Sequence, residues 1–144
     1  VNHTLAEASK LVPKGVICLT SSLAFHSLTD QIPPKVWMAI GSKDWRPTFE
    51  YPPVRFARFS GPRLLLGVES HVIDGVSVPI FGVAKTIADL FRYRQTVGVN
   101  VALGGLREAL RQKKASPAEI ASEAVDAKVW KIMEPYMSAL TSHG

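Results

Sequence analysis

The chain has a single cysteine, Cys18, in 144 residues. One thiol excludes an internal disulfide framework and a Cys-x-x-Cys metal knuckle, and it points to a reducing environment. Long hydrophobic runs are missing too. Stretches such as Val16 to Leu19 and Leu64 to Leu66 fall far below the roughly 18 apolar residues that read as a membrane span. No basic-then-apolar leader opens the sequence. These absences set the expectation of a cytoplasmic protein with no membrane partner.

Enzyme signatures are equally scarce. Gly41-Ser42-Lys43, with Asp44 and Glu50 after it, is like the Gly-Ser opening of nucleotidyltransferases, but no Asp-x-Asp or Asp-x-Glu follows to hold two Mg²⁺ ions. A metal-dependent nuclease wants a strand carboxylate followed by Glu-x-Lys. Here Glu69 has no lysine two residues on, and Asp74 falls in a turn. His3, His26, His71 and His143 never form His-x-x-x-His, so a zinc site would need tertiary assembly throughout. Ser22 and His26 are one helical turn apart, yet no Gly-x-Ser-x-Gly elbow surrounds the serine. The expectation is a protein that is not an enzyme and has no metal or cofactor. Cys18 then reads as a small buried hydrophobe and His26 as a satisfied, partly buried histidine. Trp37, Trp45 and Trp130 read as packing or rim residues rather than a base-stacking platform.

Acidic residues are outnumbered, 12 Asp and Glu against 17 Lys and Arg, which gives a formal net charge of +5. That balance favours polyanionic partners, because every phosphate neutralised releases condensed counterions. With 47% hydrophobic and 20% charged residues, the chain suits one domain with a real core over residues 1–144. It opens without Met, partway through a helix at Leu5 to Leu11, so residues 1–12 read as the tail of a linker helix with sequence expected upstream.

Local patterns supply the elements. Hydroxyl caps at Thr20 to Ser22 precede Leu23, Phe25 and Leu28, a short helix that Gln31-Ile32-Pro33-Pro34 stops. Lys35 to Gly41 is rich in β-formers, and a proline-punctuated loop carries Trp45 and Tyr51 to the next strand, Val54-Arg55-Phe56-Ala57-Arg58-Phe59. Asp74-Gly75 between two apolar runs signals a type I′ hairpin. From Ala84 the period changes from two to about 3.6. It predicts helices near Ala84 to Gln95, Val99 to Lys113, from Ser116, and Ala127 to Leu140. Ser116-Pro117-Ala118-Glu119 is a capping box with proline at the first helical position. The fold class expected is α+β: a small antiparallel sheet with a hairpin, packed by an N-terminal helix and a helical C-terminal subdomain over residues 84–144.

Val83 to Arg94 leaves two readings open. Lys85 and Asp89, at i,i+4, form a solvated salt-bridge ladder opposite Ile87, Leu90 and Phe91. Alternatively, Lys85, Arg92 and Arg94 join Arg55, Arg58 and Arg63 in a cationic surface for phosphates.

Three dispersed patterns carry a family resemblance: Cys-Leu-x-Ser-x-Leu-x-x-His-x-Leu-Thr over Cys18 to Thr29, Lys-Thr-x-x-Asp-x-Phe-x-Tyr-Arg over Lys85 to Arg94, and Pro135-Tyr136. Together they resemble the C-terminal domain of the AbiEi-type abortive-infection antitoxins, predicted transcriptional regulators, from about Pro13 to Leu140. The resemblance implies a type IV toxin-antitoxin system: a domain that neutralises a nucleotidyltransferase-like toxin and assists autorepression. Operator DNA would be read mainly by an N-terminal winged helix that this sequence lacks, and direct contact with the toxin stays open. It marks His26, Thr86, Asp89, Tyr93, Pro135 and Tyr136 as family-motif positions. One departure is Gly104-Gly105 inside a helix, which costs about 1 kcal/mol per glycine. The rival from another class is an oligomerisation module, a homodimer burying Trp130, Ile132 and Met133 against a second copy, and the third reading is a nuclease-like domain without an active site.

Overall fold

Asp74 and Gly75 both take positive φ, 51° and 76°, as a two-residue type I′ turn requires. They join β4 (Val68–Ile73) to β5 (Val76–Phe81) in the antiparallel hairpin that the sequence predicts. The computed structural model that gives this geometry describes residues 2–142. Its order is α1 (Asn2–Leu11), β1 (Val16–Ile17), α2 (Leu19–Phe25), β2 (Val36–Gly41), β3 (Val54–Phe59), α3 (Pro62–Leu65), β4, β5, α4 (Val83–Arg92), α5 (Arg94–Val97), α6 (Val99–Arg111), α7 (Pro117–Asp126) and α8 (Trp130–Thr141). His143 lies outside the described residues.

The fold is α+β, on one five-stranded sheet ordered β3-β2-β1-β5-β4. The sheet is mixed, which corrects the antiparallel expectation: β1 runs parallel to β5 and β2 parallel to β3. Side-chain alternation sets which face a residue takes but not the direction of the neighbouring strand. Parallel neighbours need a crossover of about a dozen residues, which the loop over residues 42–53 supplies between β2 and β3. The centre of the sheet, β1, is two residues long and offers no period to read.

Alternation along the strands divides the interior in two. On one face α1 buries Leu5, Ala6 and Ala8 with Ile17, Met38, Ile40, Val78 and Ile80. On the other, Trp37, Ala39, Phe59 and Phe81 form a core with α2, α4 and the C-terminal helices. Gly105 sits where α6 meets this core: a Cβ there would come 3.0 Å from Leu23 and 3.2 Å from Ile87, so the glycine sets how closely α6 approaches. Gly104 faces open space.

The helix ends follow local chemistry. Ser116 Oγ accepts from Glu119 N and the Glu119 carboxylate accepts from Ser116 N, the reciprocal box of the sequence reading. After α7, Lys128 turns left-handed at φ 62° while Val129 N donates to Ala124 O, so α8 starts at Trp130 rather than Ala127. Ser27 and Lys113 close α2 and α6 in the same way. Among the described residues, no helix is long and apolar enough to cross a membrane.

Candidate functional site

Helix α4 is enclosed by α2, α6 and α7, and everything from Lys85 to Phe91 is buried. The charged pair of the Val83 to Arg94 stretch therefore lies inside, with Lys85 and Asp89 side chains each 1% exposed. Lys85 Nζ donates to Asp89 Oδ2 at 2.9 Å. Arg63, from α3, donates through Nη2 to Asp89 Oδ1 at 2.7 Å and through Nη1 to Glu123 Oε1 on α7 at 3.1 Å. Two cations and two anions thus join α3, α4 and α7, and both oxygens of Asp89 are occupied.

The Lys85 stem crosses Gly67, where a Cβ would stand 2.7 Å from Lys85 Cδ and φ is +79°. Its ammonium rests 4.2 Å from the Phe81 ring centroid and 4.9 Å from that of Phe59, a cation–π seat. Burial pulls the Lys85 ammonium below its ordinary pKa, and Asp89 opposes that pull. Burial also works against the Arg63 guanidinium, but Asp89 and Glu123 outweigh it and hold its pKa above the usual value. Arg63 Nε is buried with no protein hydrogen-bond partner.

Other motif residues fasten this centre. Thr86 Oγ1 lies 2.8 Å from Ser22 Oγ, and Ser22 Oγ donates to Leu19 O, tying α4 to α2. Ser21 Oγ accepts from Trp37 N at 2.8 Å, which ties α2 to β2. His26 Nε2 donates to Phe81 O at 2.8 Å, and burial lowers the pKa of its ring. Cys18 precedes α2, fully buried, and burial pushes its thiol pKa well up. Pro135 lies within α8, and the Tyr136 ring stands 6.0 Å from that of Phe91.

The six cations singled out in the sequence separate in space. Arg58, Arg63 and Arg92 converge on a cleft of about 250 Å³, lined also by Ser42, Ser60, Asp89 and Tyr93. Arg58 Nη1 is aimed at the carbonyls of Gly41, Ser42 and Asp44, at 2.9 to 3.3 Å, and Tyr93 Oη donates to Arg58 O at 2.9 Å. Arg92 Nη1 donates to Ala127 O. Arg94 turns back to Phe91 O, and Arg55 lies 4.5 Å over Trp37, so neither enters this cleft. Lys85 is corrected from surface to interior: α6 and α7 cover the face that helical periodicity alone leaves open. Arg63 is largely interior as well, its side chain 14% exposed. The solvated ladder of Lys85 and Asp89 is corrected with it.

Glu123 and Ser60 escaped the sequence reading, and Ser42 entered it only within Gly41-Ser42-Lys43. Glu123 arrives by tertiary packing from 60 positions beyond Arg63, which no local spacing marks. The rival dimer face also changes: Met133 is fully buried in the chain's own core and Trp130 packs against it, leaving Ile132 exposed. Among the described residues, no group of three or more His, Cys, Asp or Glu could hold a metal.

Fold and site together define an α+β domain with a neutralised ionic centre beneath an arginine-lined cleft. No family model matches the chain, and no curated protein matches it.

Proposed function

We propose that the chain is the antitoxin domain of a type IV abortive-infection system of the AbiEi type. It neutralises a nucleotidyltransferase-like toxin and assists autorepression of its operon. Operator sequence is read by a winged-helix domain outside this sequence, and this domain adds phosphate contacts that carry no base information. The observation that carries the reading is the cleft of Arg58, Arg63 and Arg92. Its one carboxylate, Asp89, is bonded on both oxygens by Lys85 and Arg63, so the exposed guanidiniums of Arg58 and Arg92 present uncompensated positive charge. Such an array suits an oxyanion, since guanidinium forks match phosphate geometry.

The motifs behind the family resemblance support the same reading. The three patterns lie far apart in sequence and touch in the fold: Thr86 Oγ1 stands 2.8 Å from Ser22 Oγ, and the Tyr136 ring packs 6.0 Å from that of Phe91. The lysine and aspartate that could serve as acid and base are spent on each other.

The test is growth of cells expressing the toxin encoded beside this chain, with the chain supplied in trans. Wild type restores growth, and the Arg58→Ala, Arg92→Ala double variant loses at least part of that rescue at equal protein level. No rescue by wild type overturns antitoxicity in this domain. Full rescue by the variant removes the cleft from it.

A further inference from the structure

Strand β4 is an outer edge of the sheet, and no strand pairs with its far side among the described residues. It is six residues long with no proline or glycine, and it carries none of the lysines that natural edges use to repel a partner. Val72 is 76% exposed at the hairpin end of the strand, and Val68 is partly exposed at the other. Val68 shares a cleft with Lys114, Ala115 and Glu119 at one end of the strand, and the rim is most open at Val72.

The hydrogen-bond phase of the strand is fixed. Gly82 N donates to Gly67 O at 2.9 Å, and the ladder runs from Val68 opposite Phe81 to Ile73 opposite Val76. Bonded and unbonded pairs alternate in an antiparallel ladder. Gly67, Glu69, His71 and Ile73 therefore bond to β5, whereas Val68, Ser70 and Val72 aim their N–H and C=O groups at the open rim. Pro79, which has no N–H, stands opposite Ser70, an unbonded position that suits it.

We infer that two copies of this chain pair antiparallel through β4, with Ser70 on the two-fold axis. Three registers centred on the strand keep the outward groups in phase. One sets Glu69 against Glu69 of the second copy, two like charges at close range. Another sets His71 against its own copy and Glu69 against Ile73. The third sets Ser70 against Ser70, Val68 against Val72, and Glu69 against His71 of the second copy. Only this register matches apolar with apolar and acid with imidazole. Glu69 and His71 already make a 2.9 Å pair within the chain, so across the axis they alternate in a four-membered ladder. They occupy unbonded positions of the new ladder, where side chains approach closest. The valines fall together on one face, and the result is a continuous sheet through a symmetric interface. This pairing is independent of the antitoxin reading.

Two measurements on the full chain test it. Wild type sediments at twice the 15.7 kDa chain mass, and Val72→Lys, which places a charge at an already exposed position, sediments at the single mass with unchanged circular dichroism. For register, Glu69→Cys and His71→Cys chains are oxidised alone and mixed. The mixture gives covalent dimer at least about tenfold above either variant alone, because only unlike chains bring the two substituted residues to the roughly 4.4–6.8 Å Cα separation a disulfide needs. A monomeric wild type overturns the proposal. So does self-linking by one variant at the level of the mixture, or a dimer whose mixed variants do not link.

Discussion

The two rims of the sheet are furnished in opposite ways. Along β3 the outward side chains are Arg55 and Arg58, and the Arg58 head group covers the carbonyls at the end of β2. Along β4 the outward groups are valines, a serine and one balanced acid–imidazole pair. Charge of one sign repels a second copy and draws polyanions; apolar, self-complementary chemistry does the reverse. Between the rims, the bonds of Arg63, Lys85, Asp89 and Glu123 hold α3 and α7 to α4 and so position the cationic cleft.

The largest break of this contrast is Asp89→Ala. It leaves Lys85 and most of Arg63 buried without a carboxylate between them, and removing one member of a buried ionic set costs about 3 to 5 kcal/mol. Thermal unfolding should fall by roughly 10 °C or more, at about 3 °C per kcal/mol for a chain of this size. Lys85→Met is the milder partner experiment, since Asp89 keeps Arg63 and the methionine fills the seat on Phe59 and Phe81. Its cost should be about 1 to 3 kcal/mol, the scale of a charged hydrogen bond. An equal loss for both variants would contradict the assignment of Asp89 as the shared hub.

Ser116→Ala sharpens the comparison from a neutral position. It opens the capping box of α7, whose two hydrogen bonds involve no residue of either rim, and should lower stability by about 1 kcal/mol in chemical denaturation. Polyanion affinity and β4 pairing should be unchanged.

A pH effect belongs to the hairpin side. Burial depresses the pKa of His26, which donates to Phe81 O beside β4, so the folded chain favours the neutral ring. Its contribution is complete above the unfolded value near 6.5 and is lost as pH falls through the lower folded value. Unfolding midpoints should decline below pH 6.5, and His26→Gln should flatten that part of the decline. An unchanged profile in the variant would assign the acid sensitivity elsewhere.

Much of the fold was legible because its signals are local. Asp74-Gly75 set the hairpin and thereby the bonding phase of β4, and Ser116 to Glu119 set the start of α7. The change of period at Ala84 marked the helices. Strand direction was not legible, because β1 shows two residues and β2 meets β3 only after a long crossover. The i,i+4 pairing of Lys85 with Asp89 was visible in the sequence, whereas its burial was not. Exposure of a helix face is decided by what packs on it, here α6 and α7, and by Arg63 and Glu123 arriving from distant segments. The same spacing that suits a solvated ladder therefore served an internal one.

The account rests most directly on Arg58 and Arg92 being the free charges of the cleft. Binding of the chain to duplex DNA should be measured over a series of salt concentrations, wild type beside the Arg58→Ala, Arg92→Ala variant. Each phosphate contact adds about 0.9 to the slope of log K against log salt. The variant should show a slope shallower by about 2, with weaker binding to every sequence, while the lost contacts to the carbonyls of Gly41, Asp44 and Ala127 cost about 1 to 3 kcal/mol and leave the chain folded. The same slope and affinity in both proteins would contradict the assignment of the cleft as the phosphate-contacting surface.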